Sequence, residues 1–80
     1  MYLIIESVGT NIESVQLFAN EREAHLVFDK TVKENEATEA NSWIEAKRLC
    51  KFPDVQLDRL MRYAYNGEWA AFLFPDRSVQ

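Results

Sequence analysis

Histidine and cysteine occur once each in this chain of 80 residues, and glycine and proline only twice each. A phosphate-cradling loop or dinucleotide fingerprint needs several glycines at fixed short spacing, and Gly9 and Gly67 lie far apart. A hydroxyl nucleophile needs a base to activate it. There is no G-x-S-x-G, no Ser-x-x-Lys and no second histidine to serve. Cys50 can form no intramolecular disulfide. Set between Leu49 and Lys51, with no second cysteine or nearby histidine, it reads as a small hydrophobe rather than a reactive thiol. The opening apolar run, Tyr2-Leu3-Ile4-Ile5, stops at Glu6, far short of a signal peptide core or a membrane span. These absences predict a soluble cytoplasmic protein that is not an enzyme and carries no cofactor.

What is present is ordinary globular material, 48% hydrophobic and 28% charged, outside the compositional range of disorder. At this length the chain predicts one domain spanning residues 1–80, because two cores would each be too small to offset chain entropy. A domain so small buries only about 60% of the surface its unfolded chain exposes. Two Trp, three Tyr and five Phe are many rings for such a core, so some aromatic surface is expected at a partner or dimer interface.

Tyr2 to Ser7 is apolar and β-branched, and Ser14 to Phe18 alternates Val15 and Leu17 with Ser14 and Gln16. With Gly9-Thr10-Asn11 between them, the two segments predict an antiparallel hairpin. Asn20 followed by Glu23 resembles a capping box, and Ala24, Val27, Phe28, Thr31 and Val32 recur at helical spacing. A helix over about residues 21–35 should lay this stripe on the hairpin. Glu36 to Asn41 is polar and reads as a loop. Residues 42–52 fit a helix, with Trp43, Ala46, Leu49 and Cys50 on one face; the strand alternative groups Ile44, Ala46, Cys50 and Phe52.

Pro53-Asp54 then opens a helix carrying Leu57, Leu60, Met61 and Ala64, which Asn66-Gly67 would stop. Asn-Gly is equally a hairpin signal, so a strand from Met61 to Tyr65 competes. Trp69 to Phe74, ended by Pro75-Asp76, reads as a final buried strand. The sum is an α+β domain: an antiparallel sheet of three or four strands with helices packed on one face.

Three residue groups merit functional attention. Glu21, His25 and Asp29 fall at i, i+4 and i+8 on one helical face. Two carboxylates could hold the imidazole in one tautomer, but a single helix supplies a line of ligands and not a tetrahedron, so no metal site is expected. The net charge of −4 falls wholly in residues 1–36, seven acids against three bases. Glu21, Asp29 and Glu36 would then form an acidic strip able to orient the protein on a basic surface, although Arg22, Lys30 and Lys33 dilute it. Lys47, Arg48, Lys51, Arg59 and Arg62, with Tyr63 and Tyr65 nearby, form the third group. Bases interleaved with aromatics suit nucleic-acid contact, whereas a sequence pI near 4.9 opposes the approach of a polyanion.

No motif identifies a family. The reading that follows is an acidic, non-enzymatic module that binds a larger protein or complex, with Glu21, Asp29 and Glu36 orienting it and Tyr63, Tyr65 and Trp69 as anchors. Inhibitors of nucleic-acid-handling assemblies, such as phage anti-CRISPR or host-takeover proteins, share this size and charge, which is an association and not a motif. A homodimer and a small nucleic-acid-binding domain are the alternatives.

Overall fold

A computed structural model of the chain describes residues 1–49 and 60–75, apart from the side chains of Trp43, Lys47 and Leu49. Five strands form one sheet: β1 (Tyr2–Val8), β2 (Asn11–Phe18), β3 (Thr38–Glu39), β4 (Arg62–Asn66) and β5 (Trp69–Pro75). Their spatial order is β2-β1-β5-β4-β3, every neighbouring pair antiparallel. Helix α1 (Glu21–Glu34) follows the first hairpin, and α2 (Trp43–Leu49) follows β3. No helix among the described residues is long and apolar enough to cross a membrane.

Two two-residue turns, Gly9-Thr10 and Gly67-Glu68, make the hairpins. In each, glycine takes the first central position at positive φ, +62° and +60°, as a type II′ turn requires. The turns lie side by side and are tied by a hydrogen bond of 2.9 Å from the Gly9 N–H to the Glu68 carbonyl. Asn11 belongs to β2 rather than to the turn. One residue of β2, Glu13, is left out of the pairing where Glu6 meets Ser14 and Ser7 meets Ile12. This bulge resets the alternation so that Ile12 shares a face with Val15 and Leu17.

Helix α1 begins as the sequence predicts, the Asn20 side chain accepting the Glu23 N–H at 3.3 Å. Its stripe also packs as expected: Ala24 and Phe28 are fully buried against Ile4, Ala64, Ala71 and Leu73, with Val27 and Val32 at the margin. At its far end the Ala37 N–H reaches the Val32 carbonyl and the Glu36 N–H reaches the Lys33 carbonyl. These are the two bonds of a Schellman motif, and Glu36 occupies its left-handed position at φ +50°.

Strand periodicity sends the other half of the core to the opposite face. Ala46 of α2 packs there with Tyr63, Ala70 and Phe72, and Ile5, Ala40, Leu60, Tyr65 and Phe74 lie around them. Rings meet across this face, Tyr63 stacked on Tyr65 at 5.9 Å and tilted against Phe72 at 4.9 Å between centroids. Burying Phe28 on one side and Phe72 on the other contributes about 1.5–3 kcal/mol each.

Of the expectation for residues 42–52, the helix is present over Trp43–Leu49, which Ser42 caps by accepting the Glu45 N–H at 3.2 Å while Glu45 accepts from the Asn41 N–H at 2.7 Å; Cys50, Lys51 and Phe52 lie outside the described residues. Four other expectations are corrected. The sheet has five strands, not three or four, and α2 serves the face opposite α1, so the helices do not share one side. The polar stretch Glu36 to Asn41 contains a short strand, β3. The helical pattern ending at Ala64 gives way to β4, because Tyr63 can pack against Phe72 on one face and Ala64 against Phe28 on the other only when the segment is extended. Its opening residues, Pro53, Asp54 and Leu57, lie outside the described residues.

Candidate functional site: an arginine-centred acidic corner

Sequence spacing puts Glu21, His25 and Asp29 on one face of α1, and the structure turns that face toward the β4 and β3 edge of the sheet. Alternation along β4 places Arg62 beneath it, on the same side as Ala64. The Arg62 guanidinium lies 4.6 Å above the centre of the Phe28 ring, a cation–π contact over a fully buried aromatic. From this position it donates to Glu39 twice, Nε to Oε2 at 2.8 Å and Nη2 to Oε1 at 2.6 Å. Nη2 also donates to Asp29 Oδ1 at 2.6 Å, and Nη1 reaches His25 Nδ1 at 3.3 Å.

The proton bookkeeping of the histidine follows. A guanidinium has no acceptor, so Arg62 must be the donor and His25 Nδ1 the acceptor. The ring hydrogen is then on Nε2, which faces Glu21 Oε1 at 3.6 Å. Glu21 in turn accepts from the Tyr2 hydroxyl at 3.3 Å. Desolvation, together with the charge and hydrogen bond of Glu21, holds the Tyr2 phenol above its ordinary pKa. The Glu39 hydrogen bond raises that of Arg62, partial burial opposes it, and Asp29 adds to the rise.

Two carboxylates on one guanidinium, with Glu21 beside His25 as a third, leave the corner negative. Glu21 and Asp29 keep more than half of their side-chain surface in water, whereas Arg62 keeps 19%. The arginine is thus spent on orientation, and the residual charge faces solvent. Among the described residues no group of three or more His, Cys, Asp or Glu is placed to hold a metal ion. Arg62 stands between His25 and Asp29, where a shared ligand would have to sit. The groove between β3, β4 and α2, lined by Glu39, Ala40, Ser42, Ala46, Leu60 and Tyr63, encloses about 180 Å³. Small-molecule sites start at about 300 Å³.

The residues singled out from the sequence are only partly brought together. Glu21 and Asp29 join the corner. Glu36 does not, since it forms the left-handed cap at the far end of α1. Tyr63 is 4% exposed and packs in the core, which removes it from the surface as an anchor. Tyr65 is half-buried on the α2 side of the sheet and Trp69 is half-buried on the α1 side, so they form no common patch.

Of the basic group, Arg62 is engaged by its own carboxylates and Arg48 is exposed. The Lys47 side chain, Lys51 and Arg59 lie outside the described residues. Sequence reasoning missed Glu39 and the central place of Arg62. Neither has a local signal, since Glu39 sits in a two-residue strand and Arg62 pairs with residues 23 and 33 positions away. Comparison with protein-family models, with curated proteins and with solved structures finds no match.

Proposed function

We propose that this protein is a non-enzymatic binding module that covers a basic surface on a larger protein or assembly, presenting the corner of Glu21, Asp29 and Glu39. The observation that supports this reading is the stoichiometry at Arg62: one cation holds Asp29 and Glu39 in fixed positions without cancelling their charge. Carboxylates held in place lose less side-chain entropy on meeting a partner than free ones, and they steer the encounter. A groove that ordinarily grips phosphates has the matching charge, so an inhibitor of a nucleic-acid-handling assembly is the specific form of this role. Half-buried Trp69, on the α1 side of the sheet, would add apolar contact.

The test is capture of partners from native lysate by the tagged protein, with and without nuclease, repeated with Glu21→Lys. Glu21 is exposed and is the corner carboxylate that Arg62 does not bind, so its reversal should leave the fold intact. One dominant protein retained after nuclease and bound about tenfold more weakly by the variant, about 1.4 kcal/mol, is expected. Capture unchanged by Glu21→Lys, or recovery of nucleic acid alone, would reject the reading.

A further inference from the structure

The acidic corner holds the one histidine of the chain, and the two ring nitrogens of that residue face opposite charges. Nδ1 accepts from Arg62 Nη1 at 3.3 Å, and Nε2 lies 3.6 Å from Glu21 Oε1. Because Nε2 already bears the ring hydrogen, a second proton can enter only at Nδ1. That proton and the Arg62 N–H cannot share one lone pair. Proton uptake by the ring and loss of its hydrogen bond from Arg62 are therefore a single event.

The number of contacts on each side decides which one moves. Arg62 is fixed by two bonds to Glu39, one to Asp29 and the Phe28 ring beneath it. The imidazole has no comparable anchor: its side chain is 33% exposed, and Glu21 stands beyond hydrogen-bond distance. The ring yields and the guanidinium stays.

Among the described residues, Glu21 and Asp29 flank the ring on α1, one helical turn to either side. Arg62 faces it from β4 with Glu39 of β3 behind, and Tyr2 of β1 reaches it through Glu21. Arg22, three residues before it on α1, is exposed. Carboxylates at i−4 and i+4 are placed to take an imidazolium.

We propose that His25 is an acid-operated joint of the corner: protonation at Nδ1 swings the ring off Arg62 and onto Glu21 and Asp29, and lowers the negative charge presented to solvent. Counting Glu21, Asp29 and Glu39 against Arg62, the corner carries two net negative charges, and an imidazolium leaves one. Acid then weakens the hold on a basic surface. This consequence, unlike the ring movement, rests on the binding role proposed above.

Two measurements on the full chain separate the joint from the function it would regulate. Long-range ¹H–¹⁵N NMR follows the imidazole from about pH 8 to about pH 5, the range in which histidine changes charge. The expected result is a hydrogen on Nε2 alone at the upper pH, then uptake at Nδ1 with nuclear Overhauser contacts moving from Arg62 toward Glu21 and Asp29. A hydrogen on Nδ1 at the upper pH, or a ring that keeps its place while Arg62 leaves Glu39, overturns the joint.

Binding of an oligoarginine peptide at about pH 7.5 and about pH 5.5, where carboxylates stay ionised, reads the consequence. Affinity is expected to fall about threefold to fivefold at the lower pH, the effect of one unit charge near a solvated contact. His25→Gln should bind equally at both. Equal binding by wild type, or a pH effect that persists in His25→Gln, overturns the regulation. A peptide bound at neither pH rejects the corner as a binding surface, whereas the tautomer and the ring contacts decide the joint itself.

Discussion

Arg62 grips Glu39 with two parallel hydrogen bonds across the β3–β4 ladder, although Glu39 stands opposite Ala64 and not opposite Arg62. The pairing is diagonal, offset by two residues on the same face, which long side chains can span. It closes the sheet's short edge strand onto the α1 layer through a single planar cation, and the same cation orients Asp29 and His25.

Removing that cation should cost more than a surface ion pair. Arg62→Met keeps the aliphatic contact with Phe28 but leaves Glu39 and Asp29 without their partner. With these carboxylates partly solvated, the expected loss lies near 1–2 kcal/mol, between exposed and buried pairs. Arg62→Lys should recover only part of it, because an ammonium cannot make the bidentate contact. Urea unfolding of the two variants, combined with Glu39→Gln in a double-mutant cycle, measures the coupling.

Glu36 occupies a left-handed conformation that costs an L-residue about 1 kcal/mol or more and costs glycine little. Glu36→Gly should stabilise the domain by about 0.5 kcal/mol after the added freedom of the unfolded chain is subtracted, raising Tm by about 2–4 °C. If Glu36 also orients a partner, that binding would weaken while Tm rises. Calorimetry and partner capture on the same variant separate the two roles.

Tyr2 should make the fold sensitive to alkali. Its folded pKa lies above the ordinary phenol value of 10.0, so the folded state holds the phenolic proton more tightly than the unfolded chain. The stabilisation is complete below the unfolded pKa of about 10 and is lost as pH rises through the folded value. Tyr2→Phe should remove this part of the high-pH slope, and Glu21→Gln should reduce it. Urea midpoints between pH 8 and pH 11 provide the measurement.

Much of the local structure was legible because its causes are local. The Asn20 cap, the α1 stripe and the run from Trp69 to Phe74 each follow from a few neighbouring residues. Gly9 marked the first turn for the same reason. Residues 61–66 were ambiguous for a physical reason: Leu60, Met61 and Ala64 satisfy a helical period while Tyr63 and Tyr65 satisfy a strand period. Packing of the Tyr63 ring against Phe72 favours the strand, and that contact spans nine residues of chain.

The sequence alone determined that the two glycines lie far apart and that histidine occurs once, that net charge is concentrated in the first 36 residues, and where α1 begins. Tertiary structure decided what those charges do. Only the order β2-β1-β5-β4-β3 brings Arg62 under α1, joins it to Glu39 and Asp29, and buries Tyr63 while leaving Val15 and Leu17 in water. Spacing along a chain specifies which residues share a face of one element; which faces meet is settled by packing between elements far apart in sequence.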